Sequence, residues 1–71
     1  MEVSDLITVD PDILGGTPVF KGTRVPVRSL FEKLEDGMTV NDFLEWFPNV
    51  HRSQVDAVLK HAEESLFAAA A

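Results

Sequence analysis

The sequence predicts a mainly α fold: a body of three short helices over 27–71, preceded by short β strands or an extended N-terminal arm over 1–26, in one domain spanning 1–71. Three observations carry this reading. From Val27 onward the apolar residues recur three and four apart, the period of a helix face. Gly37, Thr39 and Pro48 punctuate that run where helices start and stop. Between Gly15 and Val27, by contrast, Gly, Pro and β-branched residues alternate too densely for any helix.

Leu6-Ile7-Thr8-Val9 is a short β-branched run that ends at Asp10-Pro11-Asp12, whose proline fixes φ and whose aspartates favour a turn. It reads as a brief strand. Val19-Phe20 and Thr23-Arg24-Val25-Pro26-Val27 flank Lys21-Gly22, the pattern of a hairpin or extended arm. Pro18 and Pro26 cannot donate to a β ladder, so these strands are expected to be short or at an edge, and an exposed edge is a docking line for a second chain.

Val27, Leu30, Phe31 and Leu34 share one face of the first helix, which Gly37 terminates. Thr39 is the N-cap of the second, with Asp42 in capping-box position ahead of Val40, Phe43, Leu44 and Phe47. Pro48 ends it, because the residue before a proline leaves the α region. The third begins near His51 or Arg52 and carries Val55, Val58, Leu59, Ala62 and Leu66 on its stripe. Ala68 to Ala71 reads as a frayed end.

A chain this short hides only about 60% of its unfolded surface, so the core must be thin. With no cysteine, disulfides and thiolate metal sites are excluded, and a second subunit becomes the expected support. A homodimer follows as an expectation, with Ile7, Val19, Phe20, Val25 and Trp46 as candidate interface residues. Trp46 lies off the stripe of a helix that is apolar around most of its circumference, so either the strand arm or a partner chain should cover it. No basic leader and no apolar stretch of roughly 20 residues is present, and a soluble, cytoplasmic protein is expected.

The formal net charge is -6, which argues against indiscriminate coating of nucleic acid. The charge is patterned, however. Acids occupy the opening (Glu2, Asp5, Asp10, Asp12) and the helices, whereas Thr17 to Phe31 carries Lys21, Arg24 and Arg28 and no acid. Two short helices, a tight corner at Pro48-Asn49 and a longer third helix have the spacing of a helix-turn-helix domain, a spacing shared with many three-helix bundles that never touch DNA.

Gly16-Thr17-Pro18-Val19-Phe20-Lys21-Gly22-Thr23-Arg24-Val25-Pro26-Val27, continued by Asp36-Gly37 and Phe47-Pro48, resembles the family catalogued as domain of unknown function 433. Its members carry a G-x-P-V-[IF]-x-G-T-R-[IV]-P-V segment before three helices. The resemblance implies a homeodomain-like helix-turn-helix fold and an antitoxin of the VapB type, whose partner would be a PIN-like ribonuclease toxin and whose other ligand would be operator DNA. His51 departs from the pattern, standing where a threonine usually caps the third helix, so Asn49 or Ser53 is expected to supply that cap.

If DNA is the ligand, Lys21, Arg24 and Arg28 form the basic patch for its backbone. Arg52, Ser53 and Gln54 open the third helix, where base edges are read. The structural alternative for Arg24 is an ion pair with Asp12 or Glu35; for Arg52, Ser53 and Gln54 it is an ordinary surface helix start. His51 and His61 have no metal-ligand spacing, and Asp10 with Asp12 or Glu63 with Glu64 read as turn and surface chemistry rather than acid and base. Gly15-Gly16 precedes Thr-Pro rather than a helix, so it does not cradle phosphate. No catalytic residue, metal or cofactor is expected. The sequence therefore frames two functions: an antitoxin-like DNA-binding regulator acting as a homodimer, or a protein-interaction module docking a partner such as a PIN-like ribonuclease.

Overall fold

A computed structural model describes residues 3–70; Met1, Glu2 and Ala71, and with them part of the acidic opening and of the alanine run, lie outside the described residues. The architecture is mainly helical: β1 (Ile7–Thr8), β2 (Val19–Phe20), α1 (Val27–Glu35), α2 (Val40–Trp46) and α3 (Arg52–Ala70), with short 3-10 turns at Val3–Asp5 and Leu14–Gly16.

The strands pair antiparallel, Ile7 opposite Phe20 and Thr8 opposite Val19. On its other side β2 faces the chain that follows it. Val19 bridges Pro26, the Phe20 N–H donates to the Val25 carbonyl at 3.0 Å, and the Val27 N–H donates to the Pro18 carbonyl at 3.0 Å. Both prolines thus contribute the carbonyl or bridge position they still have, and the turn between them is closed locally. Gly22 takes a left-handed φ of 79°, and the Thr23 hydroxyl donates to the Phe20 carbonyl at 2.8 Å and accepts from the Val25 N–H at 3.0 Å, an arrangement Ser and Thr favour in turns. Of the two expectations, short strands or edge strands, the first holds: each strand is two residues long, and β2 is flanked on both sides by its own chain.

The segment is also not an arm laid on a finished body. Val19 and Phe20 are 0% exposed, and Phe20 enters the core formed with Leu6, Leu30, Phe43, Val50, Val55 and Val58. Its ring lies 6.0 Å from that of Phe43, which in turn sits 4.9 Å from Phe47, both tilted, a favoured aromatic geometry.

Helix boundaries follow from capping chemistry. α1 stops in a Schellman motif: the Gly37 N–H donates to the Leu34 carbonyl and the Met38 N–H to the Lys33 carbonyl, both at 3.0 Å, with Gly37 at φ 90°. α2 opens with the expected capping box. The Asp42 N–H donates to the Thr39 hydroxyl at 3.1 Å and the Thr39 N–H to the Asp42 carboxylate at 3.0 Å. The Thr39 backbone N–H first, and its hydroxyl next, favour the ionised carboxylate and hold the Asp42 pKa below its ordinary value.

The corner between α2 and α3 is tight because Val50 is buried there and its N–H returns to the Phe47 carbonyl at 3.0 Å. Neither Asn49 nor Ser53 caps α3. The cap bond comes from Gln54, whose side-chain oxygen accepts from the His51 N–H at 2.9 Å, the reverse half of a capping box. Burial along α3 then ends early. Val55 and Val58 are buried, Leu59 and Ala62 half-buried, and every described residue from Glu63 onward is exposed. Leu66, expected on the buried stripe, is 67% exposed, because the body against which the stripe packs ends before it.

Candidate functional site

The two sets of residues considered for nucleic acid touch at one point, between the Lys21 turn and the first turn of α3. Gln54 is the joint: its side-chain nitrogen donates to the Lys21 carbonyl at 3.0 Å, tying the hairpin turn to the first turn of α3 while its oxygen caps the helix. The Lys21 ammonium is exposed and reaches the Ser4 carbonyl at 3.4 Å. Arg52 donates to the Asn41 side-chain oxygen of α2, joining the two helices across their corner. Ser53 is exposed. Two of the three side chains that open α3 are therefore engaged by the chain itself. Gln54 stands three residues after the N-cap, the capping-box position, so its structural role was readable from spacing alone; the Lys21 contact, 33 residues away, was not.

Arg24 is exposed in the hairpin loop. The ion pair considered for it does not form with either Asp12 or Glu35; among the described residues the one ion pair is Lys60–Glu63, at 3.3 Å on the surface of α3. Arg28 stands in the first turn of α1, away from this joint, on the wall of a shallow cavity of about 320 Å³. Thr17, Pro18, Val27 and Phe31 give that groove a largely apolar lining, and Arg28, Glu32 and Glu35 complete it.

Of the interface candidates, Val19 and Phe20 are withdrawn from the surface by the chain's own core, and Ile7 and Val25 are partly buried against it. Trp46 alone is open, 68% exposed. The strand arm does not cover it; the neighbour over its ring is the Lys33 ammonium, 5.7 Å from the centroid, within cation–π range. Glu45 lines the same surface depression. Sequence reasoning did not anticipate the exposure of Phe67, at 66%, or the part played by Asn41. Neither has a periodic signal, since both depend on where the body stops or folds back.

Among the described residues no group of three or more His, Asp or Glu could hold a metal ion, and no helix is long and apolar enough to cross a membrane.

The fold is that of a small, mainly helical domain of three helices with a short two-stranded antiparallel sheet packed into its core. The chain belongs to the family described as protein of unknown function DUF433, whose model matches residues 7–62. It is similar to an uncharacterized protein of Sinorhizobium fredii, y4eO, with 39% identity over 59 residues. That match covers 83% of this chain and 27% of the relative, so the chain spans about a quarter of the relative's length. No solved structure matches it. The family match ends at residue 62, the last half-buried position of α3.

Proposed function

We propose that this domain is an antitoxin-like protein-interaction module, working in the cytoplasm, that docks through the Trp46 face of α2 onto a basic surface of a partner such as a PIN-like ribonuclease. The observation that carries this reading is Trp46 itself. A tryptophan 68% exposed beside the acid Glu45, in a chain of net charge -6, has the makings of a binding anchor: a large rigid apolar body with an attractive face for cations. Lys33 already stands over that ring, and an arginine from a partner can take the same position or the opposite face. The net negative charge of the chain steers a basic partner in and repels nucleic acid.

Co-expression with the products of adjacent reading frames tests this. A co-purifying basic protein, released by Trp46→Ala and blue-shifting the emission of the one tryptophan, is the expected result. No co-purifying partner, or binding unchanged in Trp46→Ala, removes the proposal.

Operator DNA is the second reading, that of a homeodomain-like helix-turn-helix protein acting as a homodimer. The Gln54–Lys21 bond favours it, because it sets the Lys21 turn beside Arg52 and Ser53 at the start of α3. Against it stand the internal engagements of Gln54 and Arg52. A mobility-shift assay on the upstream region at low salt decides: a shift no stronger than on random DNA eliminates this reading, and a specific shift lost in Lys21→Ala supports it.

A further inference from the structure

The exposed ring of Trp46 already has an occupant, and its chemistry is visible. The Lys33 ammonium reaches across from α1 and stands 5.7 Å from the ring centroid. That is close to the outer limit of about 6 Å for this attraction, and the ring remains 68% exposed, so the lysine holds it loosely. An ammonium is a compact, strongly hydrated charge, and at an exposed site it gains little by exchanging water for a ring face. Leaving the ring forfeits little else. Lys33 lies in the last turn of α1, where its charge suits the helix C-terminus whether or not it touches the indole. Glu45 shares a surface depression of about 340 Å³ with Trp46 and makes no ion pair among the described residues. An indole and an unpaired carboxylate on one depression suit a planar guanidinium, which stacks on the ring and donates from its edge to a carboxylate.

We infer that Trp46 and Glu45 form a seat for an arginine side chain, and that Lys33 holds the ring in the free chain until that arginine displaces it. The inference rests on the reading of Trp46 as a docking anchor and adds the identity of the group that docks. A lysine from a partner would exchange one ammonium for another, with nothing gained at the ring. An arginine gains the stack, loses less hydration and adds the contact to Glu45, while the released Lys33 ammonium returns to water. Lys33 therefore sets a threshold that favours arginine over other cations.

Titration of this chain with capped hexaarginine and, at equal charge, capped hexalysine tests the inference without any partner protein. Side-chain and amide shifts are followed by NMR to about 10 mM peptide, a range suited to so few contacts. In the free chain the ring current of the indole should hold the Lys33 ε-methylene protons upfield of those of Lys21 and Lys60, and hexaarginine should return them to the common position. Hexaarginine should bind at least about fivefold tighter than hexalysine, a preference reduced below about twofold in Trp46→Leu and weakened in Glu45→Gln. Lys33→Gln should tighten hexaarginine by about two- to fivefold more than Lys60→Gln, which makes the same charge change on α3. None of these substitutions touches the core. An unshifted Lys33 methylene in the free chain, a shift that hexaarginine leaves in place, or an arginine preference that survives Trp46→Leu overturns the inference. A basic protein that co-purifies through Trp46 while these titrations fail would keep the docking reading and remove the arginine seat; a selective seat with no co-purifying protein would do the reverse.

Discussion

The hairpin from Pro18 to Val27 and the exposed last turns of α3 stand at opposite extremes of the same small molecule. The hairpin has almost no regular structure, yet Val19 and Phe20 are fully sealed and β2 is hydrogen-bonded to chain on both sides. The end of α3 is unbroken helix, yet every residue from Glu63 to Ala70 is exposed. Backbone regularity and anchoring are therefore separate properties. Local hydrogen bonds can carry a helix past the edge of the body, but burial comes from contacts between distant parts of the chain. Resistance to hydrogen exchange should follow burial: slow at the Phe20 and Val27 amides, fast along the end of α3.

Truncation at each extreme gives the largest contrast. Phe20→Ala removes a sealed ring that contacts Phe43 and should cost about 3–5 kcal/mol, comparable with the whole stability of a domain this small. Leu66→Ala, at a side chain left exposed, should shift stability by less than about 0.5 kcal/mol. Urea denaturation followed by circular dichroism measures both. A Phe20→Ala variant that folds as well as the parent would deny the hairpin its place in the core.

A smaller effect is expected where hairpin and helix are tied together. Gln54→Ala removes the cap bond to His51 and the bond to the Lys21 carbonyl, each worth about 0.5–1.5 kcal/mol, so a loss of about 1–3 kcal/mol is expected in the same denaturation. Ser53→Ala, one position away, should be neutral within about 0.5 kcal/mol. Equal effects at the two positions would mean that the link contributes nothing.

One strained position offers a gain. Leu14 has φ 49° and is half exposed, held as its carbonyl accepts from the Thr17 hydroxyl at 2.9 Å. A branched side chain in the left-handed region costs about 1–2 kcal/mol, and glycine escapes that penalty while losing more chain entropy on folding. Leu14→Gly should therefore raise stability by up to about 1 kcal/mol, seen as a higher urea midpoint.

Much of this was legible in the residues, and what was not has a common cause. The Val27 periodicity, the Gly37 stop, the Thr39–Asp42 box and the start of α3 near Arg52 are set by neighbours within one or two turns, and sequence spacing reads such effects directly. Val50 and Leu6 lie in the core without any periodic partner, since a corner and a strand entrance deliver them there. The apolar stripe of α3 marked the correct face through Leu66, but a stripe reports which side is apolar and not how far the body beneath it extends. The site divides the same way. Trp46 was recognisable as unsatisfied by its own helix, whereas the engagement of Gln54 with Lys21 requires two segments 33 residues apart to meet.

The smallest expected effect concerns a feature that is local throughout, and it shows what locality leaves independent of the core. Asp42 is held below its ordinary pKa by the Thr39 N–H and hydroxyl. The folded value lies below the unfolded one of about 3.9, so the unfolded chain binds the proton more readily. The stabilisation is present above that unfolded value and is lost as pH falls through the folded value. Asp42→Asn has no proton to take up, so its stability should lose less than the parent's on acidification below about pH 4, the two curves running parallel above it. The difference between the curves isolates this one group from the other carboxylates, which both proteins share. Because the capping box touches neither hairpin nor groove, the same difference should persist in a Leu66→Ala background. Dependence on that background would mean that the end of α3 reaches back into α2, and the separation between anchored and unanchored regions would fall.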